Sequence, residues 1–329
     1  MKLATVGSGV IVHRFLDAVK KVDQVQCVAV YSRSKENAVE LAKRFDVKKT
    51  FTSYQQMLED PEIDCVYIAS PNSLHFSQSK QALLSNKHVI CEKPLTSTMQ
   101  ELNELLRIAK EKNKIFIEAI MTVYLPNYEA LKQQLHHIGQ VKSVTSNFLQ
   151  YSSKMDAFKK GENPNVFNPD FSGGTLMDLN VYNLHFVIGL FDKPQKASYH
   201  PVIERNIDVN GVVILNYPTF NAICSAAKNV QEDNSVRILG EKGKIIVKGE
   251  PSTVKEIEVI SDGYNDVINL QTYENAMVYE VQHFTDIINH QNVDEMNKRN
   301  QHSIKVYEIL HQTRLDANLL FKADKDYNA

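Results

Sequence analysis

The octapeptide His88-Val89-Ile90-Cys91-Glu92-Lys93-Pro94-Leu95 decides how this chain is read. Its apolar run is a buried strand that stops abruptly in a carboxylate, an ammonium and a proline. Beyond Leu95-Thr96-Ser97, apolar residues recur at Leu102, Leu105, Leu106 and Ala109, the i, i+3, i+4, i+7 spacing of a helix. In an alternating β–α pattern, a charged pair at the carboxyl end of a strand lies where such sheets take ligands. Pro94 fixes its own φ and restricts Lys93, so the lysine is aimed. The competing reading of the octapeptide alone is a surface Glu–Lys pair at an ordinary strand–helix corner. The other residues arriving at the same sheet edge bear on the choice.

Working outward, Lys2 to Val6 is a first strand that runs straight into Gly7-Ser8-Gly9-Val10-Ile11-Val12 and a helix to about Lys20. A Gly-x-Gly between strand and helix lets the backbone approach a pyrophosphate, and the helix start supplies N–H donors and the positive end of its dipole. Gly7, Ser8, Gly9, Val10 and Ile11 are therefore candidate phosphate-binding residues, although Val12 stands where the usual fingerprint has a third glycine. A tight turn is the plainer alternative.

Val25 to Tyr31 is a second strand, followed by a helix carrying Ala38, Leu41, Ala42 and Phe45. Its tip reads Ser32-Arg33-Ser34-Lys35, with no carboxylate before Glu36. An acidic residue here binds the ribose 2′-OH of NAD, whereas an arginine accommodates the 2′-phosphate of NADP. Ser32 and Arg33 thus favour NADP(H), with NAD(H) as the alternative; the plain reading is that Arg33 and Lys35 solvate a helix start.

A third strand, Ile63 to Ala69, ends in Ser70-Pro71-Asn72-Ser73-Leu74-His75, where Ser73 is read as the cap of a helix to about Asn86. A further strand spans Ile115 to Glu118. The alternation predicts an α/β fold, a doubly wound parallel Rossmann sheet over residues 1–119 with every strand's carboxyl end on one edge. That edge gathers Gly7 to Gly9, Ser32-Arg33, Ser70-Pro71-Asn72 with His75, and Glu92-Lys93-Pro94.

From residue 120 to 329 the rhythm changes to a second, α+β domain. Period-two alternation and β-branched residues mark Val141–Gln150, Asp208–Tyr217, Phe220–Ala227, Val236–Leu239, Lys244–Val247 and Glu256–Ile260, an open and mostly antiparallel sheet. Helical patterns near Glu274–His290 and Ser303–Phe321 close the chain and are expected to pack back on the first domain. Within this half, Gly173-Gly174 precede a helical pattern that sets Asp178, Tyr182 and His185 on one face, at i, i+4 and i+7. A carboxylate, a phenol and an imidazole so placed can handle protons at a cleft; a solvated polar face, or a tyrosine and histidine satisfied in a core, is the alternative.

Composition narrows the function. The chain has 329 residues, is 43% hydrophobic, and balances 37 Lys+Arg against 39 Asp+Glu for a net charge of -2. That is ordinary for a globular protein, and without a basic run it speaks against nucleic acid as a partner. No apolar run is long enough to span a membrane. The short apolar segment after Lys2 is broken by Gly7-Ser8-Gly9 and is read as a strand, not a signal peptide. Four scattered cysteines, with no Cys-x-x-Cys and no metal-spaced His cluster, suit buried thiols in a reducing cytoplasm and no metal site.

Together, the Gly-x-Gly start, Ser70 to His75, Val89 to Leu95 and Gly173-Gly174 through Tyr182 resemble the Gfo/Idh/MocA family of NAD(P)-dependent oxidoreductases over essentially the whole chain. A tyrosine at 182 is similar to its glucose–fructose oxidoreductase and dimeric dihydrodiol dehydrogenase branch. The resemblance implies hydride transfer between NADP(H) or NAD(H) and a CH–OH or carbonyl carbon of a sugar, polyol or cyclic diol. It implies Lys93 and Tyr182 as the catalytic pair with Asp178 in support, and Glu92, Lys93, Ser70, Pro71, Asn72 and His75 beside the cofactor. A neighbouring ammonium favours a phenolate at Tyr182, or Lys93 donates the proton directly. His185 matches no catalytic position of the branch and is expected to be a supporting or packing residue. The resemblance also implies a cis Lys93–Pro94 bond and a homodimer or homotetramer formed through the C-terminal sheet. The chain departs from the branch at Met121 and Val123, where relatives often carry Trp and Arg. A non-catalytic, dinucleotide-responsive regulator of the same fold is the rival reading.

Overall fold

The structure, a computed structural model, describes residues 1–326. The chain forms two compact units, one of Met1–Ala119 with Tyr273–Gln301, the other of Ile120–Thr272 with the residues from His302 onward.

The first unit holds a six-stranded sheet: β1 (Lys2–Val6), β2 (Gln26–Tyr31), β3 (Lys49–Phe51), β4 (Cys65–Ile68), β5 (His88–Glu92) and β6 (Phe116–Ala119). Every pairing is parallel and the order is β3-β2-β1-β4-β5-β6, the doubly wound arrangement whose direction reverses beside β1. Strands β4, β5 and β6 are buried at every residue, which is why their apolar residues run together without the alternation of a half-exposed strand. β3 escaped the sequence reading because three residues on the sheet edge carry no usable period.

Three helices between the strands begin on side-chain caps: Ser34 accepts from the Asn37 N–H, Ser53 from the Gln56 N–H, and Thr98 and Glu101 form a reciprocal capping box. Ser73 does not cap. It lies in a 3-10 turn, Asn72–Leu74, and the helix begins at His75 without a side-chain cap. The helix Met277–Asn289 packs beside Val10–Val19, and the Asn275 side chain donates to the Arg14 carbonyl at 2.7 Å.

The second unit is built on eight strands: β7 (Val141–Leu149), β8 (Lys196–Glu204), β9 (Ile207–Asn216), β10 (Asn221–Ala227), β11 (Ser235–Gly240), β12 (Gly243–Lys248), β13 (Glu256–Ser261) and β14 (Tyr264–Ile268). Their order is β14-β13-β12-β11-β7-β10-β9-β8, antiparallel except for the β7–β10 pair. One face is core, with Val144, Ala222, Cys224, Val236, Ile238, Ile245, Val247, Ile257 and Val259 buried. The helical stretch from Leu176 to Phe191 lies on that face. β8 and β14 form the two edges and were not anticipated; Pro201 and exposed residues break the alternation of β8.

That helical stretch opens as a π-turn, Leu176–Asn180, before becoming α-helical over Val181–Phe191. A π-turn inserts a residue into the α-helical count and rotates the side chains C-terminal to it. Of Asp178, Tyr182 and His185, the last is fully buried, its Nδ1 2.9 Å from His302 Nε2, the place of a packing residue and not of an exposed proton-handling group.

Candidate active site

At the carboxyl edge of the parallel sheet, backbone geometry sets the site. Gly7 has φ +113, and a Cβ there would lie 2.6 Å from the Ala69 carbonyl oxygen, so only glycine lets β1 turn this close to β4. A Cβ on Gly9 would meet no atom within 4 Å. Gly9 is thus the open lip of the turn, and the helix behind it begins without a side-chain cap and without an acidic residue in its first turn. Val10 is 78% exposed at that start. A closely packed first glycine, an open second one and an uncapped helix start fit a dinucleotide pyrophosphate, which needs approach to bare backbone and donors to meet its charge.

The neighbouring strand ends are tied to this turn. Gly7 N–H donates to the Tyr31 carbonyl at 3.1 Å, and Ser32 N–H to the Phe51 carbonyl at 3.2 Å. Ser32 is buried, and its Oγ accepts from the Ser34 N–H. Arg33 and Lys35 are exposed at the tip, while Glu36 is drawn onto the Ser34 hydroxyl at 2.7 Å. That bond, more than the other contacts, holds the Glu36 carboxyl below its ordinary range and keeps it ionised.

Ser70, Pro71 and Asn72 stand partly exposed after β4. His75 is 1% exposed, with Nδ1 2.8 Å from the Pro94 carbonyl and Nε2 2.9 Å from the Ser70 carbonyl. Burial lowers its pKa, so the ring is a neutral brace between the two loops. Glu92 points inward: it is 7% exposed and accepts from the Tyr67 hydroxyl at 2.5 Å, while Tyr67 stacks on Phe15 with ring centroids 3.6 Å apart. Burial pushes the Glu92 carboxyl up to about 7, against the pull of the Tyr67 hydrogen bond and the Lys93 charge. Lys93 is partly exposed at the strand end, and its bond to Pro94 is cis. Sequence reasoning overlooked Tyr67; a tyrosine inside an apolar strand gives no local sign of the carboxylate it serves.

In the second unit the π-turn is held from several directions. Asp208 on β9 is buried, and its Oδ2 accepts from the Leu176 N–H and from the Tyr199 hydroxyl, both at 2.6 Å. Burial raises its pKa despite these bonds. Gly174, at φ +101, must lack a side chain because a Cβ would fall 2.0 Å from Asp208 Oδ1. Gly173 admits the Asn165 carbonyl, which a Cβ would meet at 2.7 Å. Asp178 pairs through Oδ2 with Lys228 Nζ at 2.6 Å. Tyr182 packs against Phe148, Leu179 and Ala226, its ring centroid 5.6 Å from that of Phe148. Asn180 and Asn183 anchor the turn to the sheet, donating to the Cys224 and Ser225 carbonyls at 3.1 Å, and Ser146 donates to Asn183 at 2.6 Å. Asp208, Lys228 and Ser146 were not singled out by sequence, since each is distant along the chain from the residue it holds.

Comparison with known proteins agrees with this geometry. Residues 1–120 match the oxidoreductase family with an NAD-binding Rossmann fold, and residues 128–246 match the GFO/IDH/MocA C-terminal domain. The chain is 33% identical to a scyllo-inositol 2-dehydrogenase (NADP(+)) of Bacillus subtilis over 99% of both chains. It is 26% identical to a trans-1,2-dihydrobenzene-1,2-diol dehydrogenase of Mus musculus, again over 99% of both. Its fold matches a 3-ketoreductase from Actinomadura kijaniata, solved in complex with NADP and TDP-benzene, with a TM-score of 0.84 at 19% identity over 96% of this chain and 97% of that one. The turn at Gly7 and Gly9, the Glu92-Lys93-Pro94 strand end and a relative matched from end to end lead to one conclusion: the chain belongs to the Gfo/Idh/MocA family of oxidoreductases.

Proposed function

We propose that Lys93, Tyr182 and Asp178 carry the chemistry of an NADP(H)-dependent dehydrogenase acting on a polyol or sugar of the inositol kind. The enzyme oxidises a CH–OH carbon or reduces the matching carbonyl. Bound NADP(H) takes or supplies the hydride. Gly7, Ser8, Gly9, Val10 and Ile11 hold the pyrophosphate, and Ser32 with Arg33 receives the 2′-phosphate of the adenosine ribose. Ser70, Pro71 and Asn72 border the cofactor, with His75 bracing their loop.

The substrate's hydroxyl proton must leave as its carbon is oxidised. Tyr182 takes it as phenolate, a form favoured by the Lys93 ammonium, or Lys93 accepts it as the neutral amine. Lys93→Arg separates the two: it keeps the charge that supports a tyrosine base but cannot give up a proton at neutral pH. Asp178 accepts a hydrogen bond from a substrate hydroxyl. The main support for this reading is the end-to-end 33% identity to the NADP(+)-dependent scyllo-inositol dehydrogenase.

No helix among the described residues is long and apolar enough to cross a membrane. The four free cysteines, three of them buried, fit a cytoplasmic enzyme. Self-association uses the outer face of the eight-stranded sheet, where Ile223 and Leu239 are each 42% exposed. Ile223→Lys, followed by light scattering, should then lower the assembly's mass.

The test of function is titration with NADPH and NADH, then a scan of scyllo-inositol, other polyols, sugars and diols at the nicotinamide absorbance. Tighter binding of NADPH with turnover of a polyol or sugar is the expected result. Binding of NADPH without turnover anywhere in the panel would refute the catalytic assignment.

A further inference from the structure

Lys228 is a buried cation at the heart of the second unit. It directly succeeds β10; its N–H donates to the Val209 carbonyl at 2.8 Å and its carbonyl accepts from the Ser152 N–H at 2.9 Å. The side chain is only 2% exposed, an unfavourable place for an ammonium unless it is well paired. Nζ donates to Asp178 Oδ2 at 2.6 Å and to the Val166 carbonyl at 3.1 Å, and lies 4.7 Å from the centroid of the Phe167 ring.

The choice of partner is informative. A lysine whose task is to neutralise a buried acid would bond to Asp208, which is 1% exposed. Asp208 instead takes the Leu176 N–H and the Tyr199 hydroxyl, and it feels Lys228 only through space. Lys228 bonds to Asp178, whose side chain is 30% exposed. The pair therefore has a dry cationic end and a wet anionic end. Asp178 sits in the π-turn, near its start, with its N–H bonded back to the Gly174 carbonyl at 3.1 Å.

We infer that Lys228 is a positioning residue for substrate recognition: its ammonium holds the Asp178 carboxylate ionised and in one orientation, so that its exposed part accepts a hydrogen bond from a hydroxyl beside the reacting carbon. This rests on the placement of Asp178 in the substrate site proposed above. It makes a vicinal hydroxyl the feature that the Lys228–Asp178 pair reads, and it makes KM for the polyol the quantity that Lys228 controls.

The test compares Lys228→Met, Lys228→Arg, Asp178→Asn and the Lys228→Met/Asp178→Asn double variant. Each is assayed with NADP+ and scyllo-inositol, or the best polyol of the panel, across pH, with NADPH affinity and melting temperature as controls. Lys228→Met should raise KM by about tenfold or more and move the acid limb of kcat/KM up by about one pH unit, since the carboxylate loses its neighbouring charge. NADPH affinity should stay unchanged, Lys228→Arg should recover most of the loss, and the double variant should be no worse than Asp178→Asn alone. Wild-type KM and pH profile in Lys228→Met would overturn the inference. So would a Lys228→Arg variant as impaired as Lys228→Met while both melt like the wild type. If Asp178→Asn keeps the wild-type KM, the placement of Asp178 falls and takes the inference with it. If Asp178→Asn is impaired and Lys228→Met is not, only the role of Lys228 falls.

Discussion

The carboxyl edge of the parallel sheet and the π-turn of the second unit are built in opposite ways. At the edge, the main-chain turn at Gly7 and Gly9 and the strand-to-strand hydrogen bonds set the geometry. Around Asp178, side chains from separate segments set it: Asp208 from β9, Lys228 after β10 and Ser146 from β7. A backbone site suits a ligand such as a pyrophosphate, which asks only for N–H donors and close approach. A side-chain site suits a ligand whose hydroxyls must be told apart, because each hydrogen bond can be placed and altered separately. On the proposed function, the first unit carries the cofactor platform and the second the specificity device.

The largest expected break in this division comes at Lys93. Lys93→Ala should lower kcat by about 10²- to 10⁴-fold, the usual range for a lost proton-handling group, while leaving NADPH affinity near wild type. Steady-state kinetics and a fluorescence titration check both halves of that statement. Equal loss of binding and turnover would make Lys93 part of the platform instead.

Gly174→Ala attacks the other region. Its Cβ would meet Asp208 Oδ1 at 2.0 Å, from a backbone at φ +101. Strain of this kind costs about 1–3 kcal/mol, so the melting temperature should fall and substrate KM should rise with cofactor affinity spared. Arg33→Ala tests the edge more gently: losing a charge-assisted contact of about 1.5–3 kcal/mol should weaken NADPH by roughly tenfold or more and leave NADH unchanged. Equal weakening of both would remove Arg33 from 2′-phosphate recognition.

The smallest effect is one of pH. Glu92 titrates near 7 in the folded chain, above its ordinary 4.5. Between those values the unfolded chain binds fewer protons than the folded one, so this group's contribution to stability falls as pH rises across that window. Glu92→Gln should flatten that part of the melting profile; an unchanged slope would show that Glu92 is not the group responsible.

The same contrast explains what the sequence disclosed. β1, β4 and β5 announce themselves as apolar runs, and Gly7-Ser8-Gly9 comes directly after β1, so the edge could be read from neighbouring residues. Ser73 misled because a serine before a helical pattern resembles a cap, whereas the chain first makes a 3-10 turn there. His185 matches no catalytic position and is buried as a packing residue would be, whereas the π-turn left the apolar pattern almost intact and gave no local sign. Lys228 lies 50 positions from Asp178, and only the folding of β10 against the helical stretch brings them together.

Turnover by the intact protein tests the division of labour most directly. NADP+ is mixed with a panel of polyols, sugars and diols, with Lys93→Ala run beside the wild type. Nicotinamide absorbance should grow with at least one polyol or sugar in the wild type and stay flat in the variant, although both bind NADPH. A wild-type protein that binds NADPH and turns over nothing in the panel, or a Lys93→Ala variant that matches wild-type turnover, would contradict it.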